Sequence, residues 1–519
     1  MWPERVEIFD TTLRDGLQRE GVSLSVEDKL KVARQLDHLG VHYIEGGWPG
    51  ANPKDEELFR RAPAELELST STLVAFGSTR RAGADAADDV VLADLLKANV
   101  TTVCLVGKSW DYHVTEALRT TLDEGVRMVE DSVAYLRSHG LRVFLDAEHF
   151  FDGYKRNPEF SLKVVQAAEA AGAERLVLCD TNGGALPHEV FEIVGAVRAE
   201  VGVPLGIHCH DDTGCAVANA VAAVQAGATQ VQGCINGLGE RTGNTNLSTV
   251  IPNLSLKLGI ETIPPERLER LTSVSHHIAE LVNQAPDPQA PYVGQSAFAH
   301  KAGLHVSAIA RRPDAYEHVD PEKVGNGTRF VVSELAGRQT LVIKMNELGL
   351  EPDGAVVATV LDQLKTLENE GYHFEVADGS LELLIRRAAG LVPTFFEVEA
   401  YRTHVDASEA EATVKLRVNG QRVVETGEGN GPVNALDAAL RKALLPSYPD
   451  IAKVHLTDYK VRVLDSAAGT AAITRVLIDS TDGERSWTTI GVGENVITAS
   501  WQALVDSLTY ALVEPVPAA

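Results

Sequence analysis

The sequence predicts an α/β protein: a closed (β/α)8 barrel over residues 1–258, a helical linker region over 259–390, and a C-terminal α+β domain with an internal repeat over 391–519. Three observations carry that reading. Short apolar, β-branched runs recur about every thirty residues along the first half, with helical patterns between them, as parallel βαβ units require. The turn after the first run, Asp10-Thr-Thr-Leu-Arg-Asp-Gly16, has no Gly-rich dinucleotide fingerprint, which disfavours a doubly wound open sheet. The last 130 or so residues change to alternating strand patterns and repeat themselves.

Strands are expected at Val6–Phe9, Val41–Ile44, Thr72–Phe76, Thr102–Val106, Arg142–Leu145, Arg175–Cys179, Pro204–Ile207 and Gln230–Cys234. Eight such units have the length of a closed barrel. Between the first two, Val26–Leu39 places Leu30, Ala33, Leu36 and Leu39 on one face behind the start signal Ser25. Pro187 and Glu189 similarly precede Val190–Val197. Past the barrel, Pro264–Asn283 is amphipathic, Pro286–Pro291 breaks it, and a helix is expected over Val356–Leu367. In the tail, Ala412–Val418 and Ile473–Ile478 read as strands. Gly427-Glu-Gly429 and Gly491-Val-Gly493 each precede a helical pattern in which Ala435, Ala439, Leu440 and Leu444 match Ala499, Ala503, Leu504 and Leu508. Such a domain, without an acid, base or metal cluster, is either regulatory or a dimerisation module.

Forty-seven basic against 73 acidic residues give a net charge of -26, which argues against nucleic acid or anionic membrane as partner. No run is long enough to span a bilayer and no signal peptide is expected. Cys104, Cys179, Cys209, Cys215 and Cys234 form no CxxC pair, consistent with reduced thiols and a cytoplasmic location.

Chemistry is expected at the C-terminal strand ends. Arg14 and Asp15 follow the first strand. His208 and His210 end the seventh, and at i and i+2 they point the same way. Two His and one Asp form a ligand set for a divalent cation, provided the first and seventh strands finish close together. Glu148 ends the fifth strand, where a charge has little structural use. Asp180, at the sixth, is either catalytic or a cap. Gly237-Leu-Gly-Glu-Arg-Thr-Gly-Asn244 either cradles an anion or turns the chain.

DTTLRDG at 10–16, HCHDD at 208–212 and NGLGERTGN at 236–244 resemble the acyl-CoA-using aldol/Claisen barrel enzymes. That family includes 2-isopropylmalate, homocitrate and citramalate synthases and 3-hydroxy-3-methylglutaryl-CoA lyase. FAHKAGLH at 298–305 and the duplicated tail follow in the family's order. EGGWPGANPKD (45–55), LVGKSWDYHV (105–114) and DAEHFFDGYKRNPEF (146–160) are similar to the citramalate synthase branch.

The resemblance implies a metal-dependent condensation of acetyl-CoA with pyruvate, giving citramalate and CoA on the route to isoleucine. Asp15, His208 and His210 would bind the cation, Mg²⁺ or Mn²⁺ with Zn²⁺ as the alternative, and Asn244 would be a further ligand. Arg14 would lie over the keto oxygen, oriented by Glu45, with Glu148 and Thr181 on the keto acid. Glu148 is the candidate base. His305 and Tyr316 match residues that in relatives reach the partner subunit's active site, so a homodimer is expected. Leu105 on strand four is either the wall against pyruvate's methyl or barrel packing. Asp146 departs from the aromatic residue that some citramalate synthases carry two positions before the Glu. The tail implies isoleucine feedback, with a pocket between the repeat copies or between subunits. Other 2-keto acid acceptors, an acyl-CoA lyase and a non-catalytic ligand sensor are the rival readings.

Overall fold

The computed structural model describes residues 2–300, 312, 316–330, 338–406, 409–464 and 472–513. Eight parallel strands close into a barrel in sequence order: β1 (Glu7–Asp10), β2 (Tyr43–Gly47), β3 (Thr72–Ser78), β4 (Thr102–Lys108), β5 (Arg142–Glu148), β6 (Arg175–Asp180), β7 (Leu205–Cys209) and β8 (Gln230–Gly233), with β8 pairing back onto β1. Several strands run two or three residues further than the apolar runs, because their C-terminal ends are polar. Those extra residues include Glu45, Lys108, Glu148 and Asp180.

The helix predicted at Val26–Leu39 has those bounds; Ser25 accepts from the Asp28 N–H and Gly40 closes the helix at φ 95°. Alternation along the strands sorts side chains into two cores. Val103, Leu105, Val143, Leu145, Leu176 and Leu178 pack in the layer shared with the helices. Phe9, Tyr43, Val74, Phe76, Cys104 and Phe144 fill the barrel interior, with Val106 and Trp48 against them. This interior plug is the floor on which the site rests.

The chain forms two compact units, residues 1–298 with 317–327, and residues 299–316 with 328–519. In the first, the helix expected over Pro264–Asn283 is two pieces: a 3-10 helix, Pro265–Arg270, and an α-helix, Leu271–Leu281, ended by Asn283 at φ 55°. In the second, Gly354–Asn369 and Asp378–Ala388 are helices. Val360, Leu364, Leu381 and Ile385 share a core with Ile490 and Val492 of the tail, so packing runs across the expected boundary near residue 390.

The tail repeat is larger than the motif that reveals it. Strands Phe396–Val405, Ala410–Val418 and Gln421–Gly429 form an antiparallel sheet followed by helix Pro432–Leu444. His455–Val463, Thr474–Thr481 and Ser486–Gly493 repeat that sheet ahead of helix Val496–Leu512. The glycines let each helix seat on its sheet: a Cβ at Gly427 would lie 2.4 Å from the Ala439 nitrogen, and one at Gly491 would lie 1.9 Å from the Ala499 oxygen.

Candidate active site

Asp15 lies just past β1, and His208 lies on β7 with His210 just beyond it. These strands are not neighbours, since β8 stands between them. The side chains meet nonetheless: Asp15 Oδ2 is 3.2 Å from His208 Nε2 and 3.8 Å from His210 Nε2. Asn244 joins them by donating from Nδ2 to the same oxygen at 2.9 Å. All four residues are buried.

Their electrostatics suit a cation. Burial alone would raise Asp15, but Arg14 and the two imidazoles outweigh it and hold the carboxyl well below the usual range. Burial, reinforced by His208, pushes His210 down to about 4, so it stays a neutral ligand at physiological pH. Burial also opposes charge on His208, yet its hydrogen bond to Asp15 raises it overall. The Asn244 Oδ1 and His210 Nδ1 atoms are buried without a hydrogen-bond partner, which an oxygen awaiting a cation explains for Asn244. The donor set of one carboxylate and two imidazoles within 4.8 Å fits a divalent ion. Glu45, Cys104 and Asp146 form a second tight buried group, in which burial raises both carboxyls while Arg14 pulls them down.

Arg14 is fixed from two sides. Its Nε donates to Glu45 Oε2 at 2.6 Å, and its guanidinium lies over the Phe76 ring at 3.9 Å from the centroid. Its Nη1 is 3.6 Å from Asp15 Oδ1. Glu45 has no exposed surface, so it has no face for substrate, and its contact with Arg14 is the one the resemblance implies. Burial raises its carboxyl to about 7 even beside Arg14, with the nearby Asp146 charge adding to the rise.

Glu148 and Lys108 stand opposite each other in register on β5 and β4 and form an ion pair that the motif reading missed. Two-residue alternation from the inward Cys104 was the available signal. The same alternation corrects Leu105: it is fully buried in the strand–helix layer, and Val106 is the residue of that strand end that faces inward. Thr181 follows β6, and its hydroxyl accepts the His149 N–H at 2.9 Å. Asp180 does not cap the following helix, whose first residue is Pro187; it ties the loop ahead of it, accepting from the Gly184 and Ala185 N–H groups.

The glycine-rich loop turns the chain and ties the mouth together. Arg241 Nε donates to Asp212 at 2.8 Å and its Nη2 to the Thr181 carbonyl at 2.7 Å. Gly239, at φ 151°, leaves room for the Asn244 amide, whose nitrogen would lie 2.7 Å from a Cβ there. Tyr316 is exposed in the second unit, and His305 lies outside the described residues.

A family model described as HMGL-like matches residues 5–278, one described as the homocitrate synthase post-HMGL domain matches 292–372, and one described as the LeuA allosteric (dimerisation) domain matches 375–512. The chain is 55% identical over 514 residues to the (R)-citramalate synthase of Streptomyces coelicolor, covering 98% of this chain and 96% of that one. Identity to the (R)-citramalate synthase of Aquifex aeolicus is 51% over 520 residues, 98% of each chain. The Synechocystis (R)-citramalate synthase is 52% identical over 524 residues, 97% of this chain and 96% of that one. With the barrel matched over its whole length and relatives similar from end to end, the chain belongs to the HMGL-like family of metal-dependent barrel enzymes and, within it, to the (R)-citramalate synthase family.

Proposed function

We propose that this protein condenses acetyl-CoA with pyruvate to give (R)-citramalate and free CoA on the route to isoleucine. The observation that carries the reading is the convergence of Asp15, His208 and His210 at one mouth of the barrel, in a chain half identical to (R)-citramalate synthases from end to end. A divalent cation, Mg²⁺ or Mn²⁺ with Zn²⁺ as the alternative, supplies Lewis acidity to the keto acid's oxygens when bound by these three residues with Asn244.

Arg14, held rigid by Glu45 and Phe76, stabilises the negative charge that gathers on the keto oxygen as the new carbon–carbon bond forms. Glu148 removes a proton from the acetyl methyl, and its ion pair with the adjacent Lys108 ammonium fixes where that carboxylate points. Thr181 offers its hydroxyl proton to the keto acid, its oxygen being oriented by the His149 N–H. Val106 closes the apolar side against pyruvate's methyl. His305 and Tyr316 act on the thioester from the partner subunit of a homodimer.

The LeuA-type domain is the regulatory part, with isoleucine as effector, and the exposed apolar residues Val398, Val405, Leu456 and Val461 of the first strand of each copy give it apolar surface to dimerise through. Free thiols and the absence, among the described residues, of a helix able to cross a membrane fit a cytoplasmic enzyme.

The test is CoA-thiol release with pyruvate, 2-oxoisovalerate and 2-oxoglutarate as acceptors, before and after chelation. Pyruvate preferred, with activity lost to chelator and restored by Mg²⁺ or Mn²⁺, is the expected result. Preference for 2-oxoisovalerate or 2-oxoglutarate would make it an isopropylmalate or homocitrate synthase instead. Cleavage of 3-hydroxy-3-methylglutaryl-CoA would make it a lyase.

A further inference from the structure

We propose that Gln232 and Asp146 are positioning residues that hold a proton on His208 Nδ1, so that Nε2, hydrogen-bonded to Asp15 in the metal-free site, is the nitrogen that gives up its proton to bind the cation. The proposal rests on the metal reading above and extends it to residues that touch neither substrate nor cation.

Gln232 lies on β8, the strand between β7 and β1, and is fully buried. Its Oε1 is 2.9 Å from His208 Nδ1, and its Nε2 donates to Asp146 Oδ1 at 3.0 Å. A primary amide has one accepting end and one donating end. Turned over, Gln232 would set its oxygen against the Asp146 carboxylate, oxygen to oxygen, in a buried site. Asp146 therefore dictates which end of the amide faces His208: the oxygen. An oxygen there can only accept, so a His208 proton resides on Nδ1 and Nε2 is left as the ligand atom. Without an acceptor at Nδ1 the ring could instead keep its proton on Nε2, against Asp15, and leave its lone pair on the nitrogen that faces away from the cation.

Asp146 is a suitable reference group because donors meet it from two sides, the Gln232 amide at 3.0 Å and the Cys104 thiol. The buried Cys104 thiol donates to it, and burial holds that thiol well above the usual range, so the S–H persists. Burial raises the Asp146 carboxyl, and the His208 charge, the Cys104 thiol, Arg14 and the Gln232 amide all pull the other way, toward the carboxylate. The chain Cys104–Asp146–Gln232–His208 thus transmits a hydrogen-bond direction, not a proton. It also accounts for the carboxylate at 146, where the sequence departs from the aromatic residue some relatives carry.

The test is a Mn²⁺ titration of the metal-stripped, full-length protein, read by the EPR signal of free Mn²⁺, with thermal midpoints of the stripped proteins alongside. Asp146→Asn can face either way, and Gln232→Leu has no acceptor; both are expected to weaken Mn²⁺ binding about 10- to 100-fold. At saturating Mn²⁺, kcat should largely return, since the ligands themselves are intact. Should Gln232→Leu strand the Asp146 charge and fail to fold, the double variant Gln232→Leu/Asp146→Leu removes both polar groups and is expected to fold with the same weakened binding. Mn²⁺ affinity within twofold of wild type in folded Asp146→Asn and in the Gln232 variants would overturn the proposal. His208→Ala separates the two layers of the reading. If it too binds Mn²⁺ normally, the metal site itself is misplaced. If it alone loses Mn²⁺, only the positioning claim fails.

Discussion

Arg14 has neighbours of three kinds: a buried carboxylate at its Nε, an aromatic ring beneath it and the ligand Asp15 beside it. None of these needs a substrate, so the guanidinium is preorganised for charge that develops later. Arg14→Ala should leave bound metal near wild-type levels while kcat falls by the equivalent of about 2–4 kcal/mol, as activity and metal analysis on one preparation would show. Glu45 is the weak point of that variant, since a buried carboxylate losing its partner must take up a proton. Glu45→Gln is the control, expected to lose activity with a smaller change in thermal midpoint. Val106 belongs to the same scale. Val106→Ala should enlarge the apolar wall and raise the relative kcat/KM for 2-oxobutanoate over pyruvate by about tenfold, roughly one methylene's worth of discrimination. An unchanged ratio would return the wall to another strand. Leu105→Ala should leave the ratio alone and lower stability by about 2–5 kcal/mol, because that side chain is buried among helix residues.

At the scale of elements, loops are held by carboxylates rather than by apolar contact. Asp37, in the first helix, accepts from the Ser69 N–H and O–H and from the Thr70 and Ser71 N–H groups ahead of β3. Burial alone would raise its carboxyl, but these donors hold it below the ordinary value. A depressed carboxyl contributes stability above the unfolded-state value near 3.8 and loses it as pH falls below that value. Asp37→Asn should therefore cost about 1–3 kcal/mol at neutral pH, with the gap to wild type closing in acid, as denaturant melts across pH would show. The tail glycines act by close approach. Gly491→Val should unseat helix Val496–Leu512 from its sheet, detectable as an early unfolding step.

What the sequence made legible follows the same division. The convergence of His208 and His210 was readable because they are two apart at the end of one strand, and the first helix because its apolar face and its cap agree. Lys108, Val106 and Gln232 were not singled out, since their roles depend on which strand neighbours which and at what register. Glu45 was legible as the partner of Arg14 through the resemblance alone, since no local pattern joins two residues that meet from different strands. The repeat was seen through its glycines, yet its first two strands, exposed on one face, carry too mixed a pattern to announce themselves.

For the whole molecule, the shared core of Val360, Leu381, Ile385, Ile490 and Val492 means a cut near residue 390 would expose apolar surface on both products. Such a truncation should abolish the isoleucine inhibition proposed above and also lower solubility, whereas a cut at a break in packing would cost only the first. The account as a whole rests on one shared cation. The most direct measurement is the anomalous scattering of Mn²⁺ in crystals grown with pyruvate. The expected result is one peak per chain, about 2.0–2.3 Å from an Asp15 carboxylate oxygen and from Nε2 of both His208 and His210. A peak seated elsewhere in the chain, or none in crystals of an enzyme that Mn²⁺ activates, would contradict it.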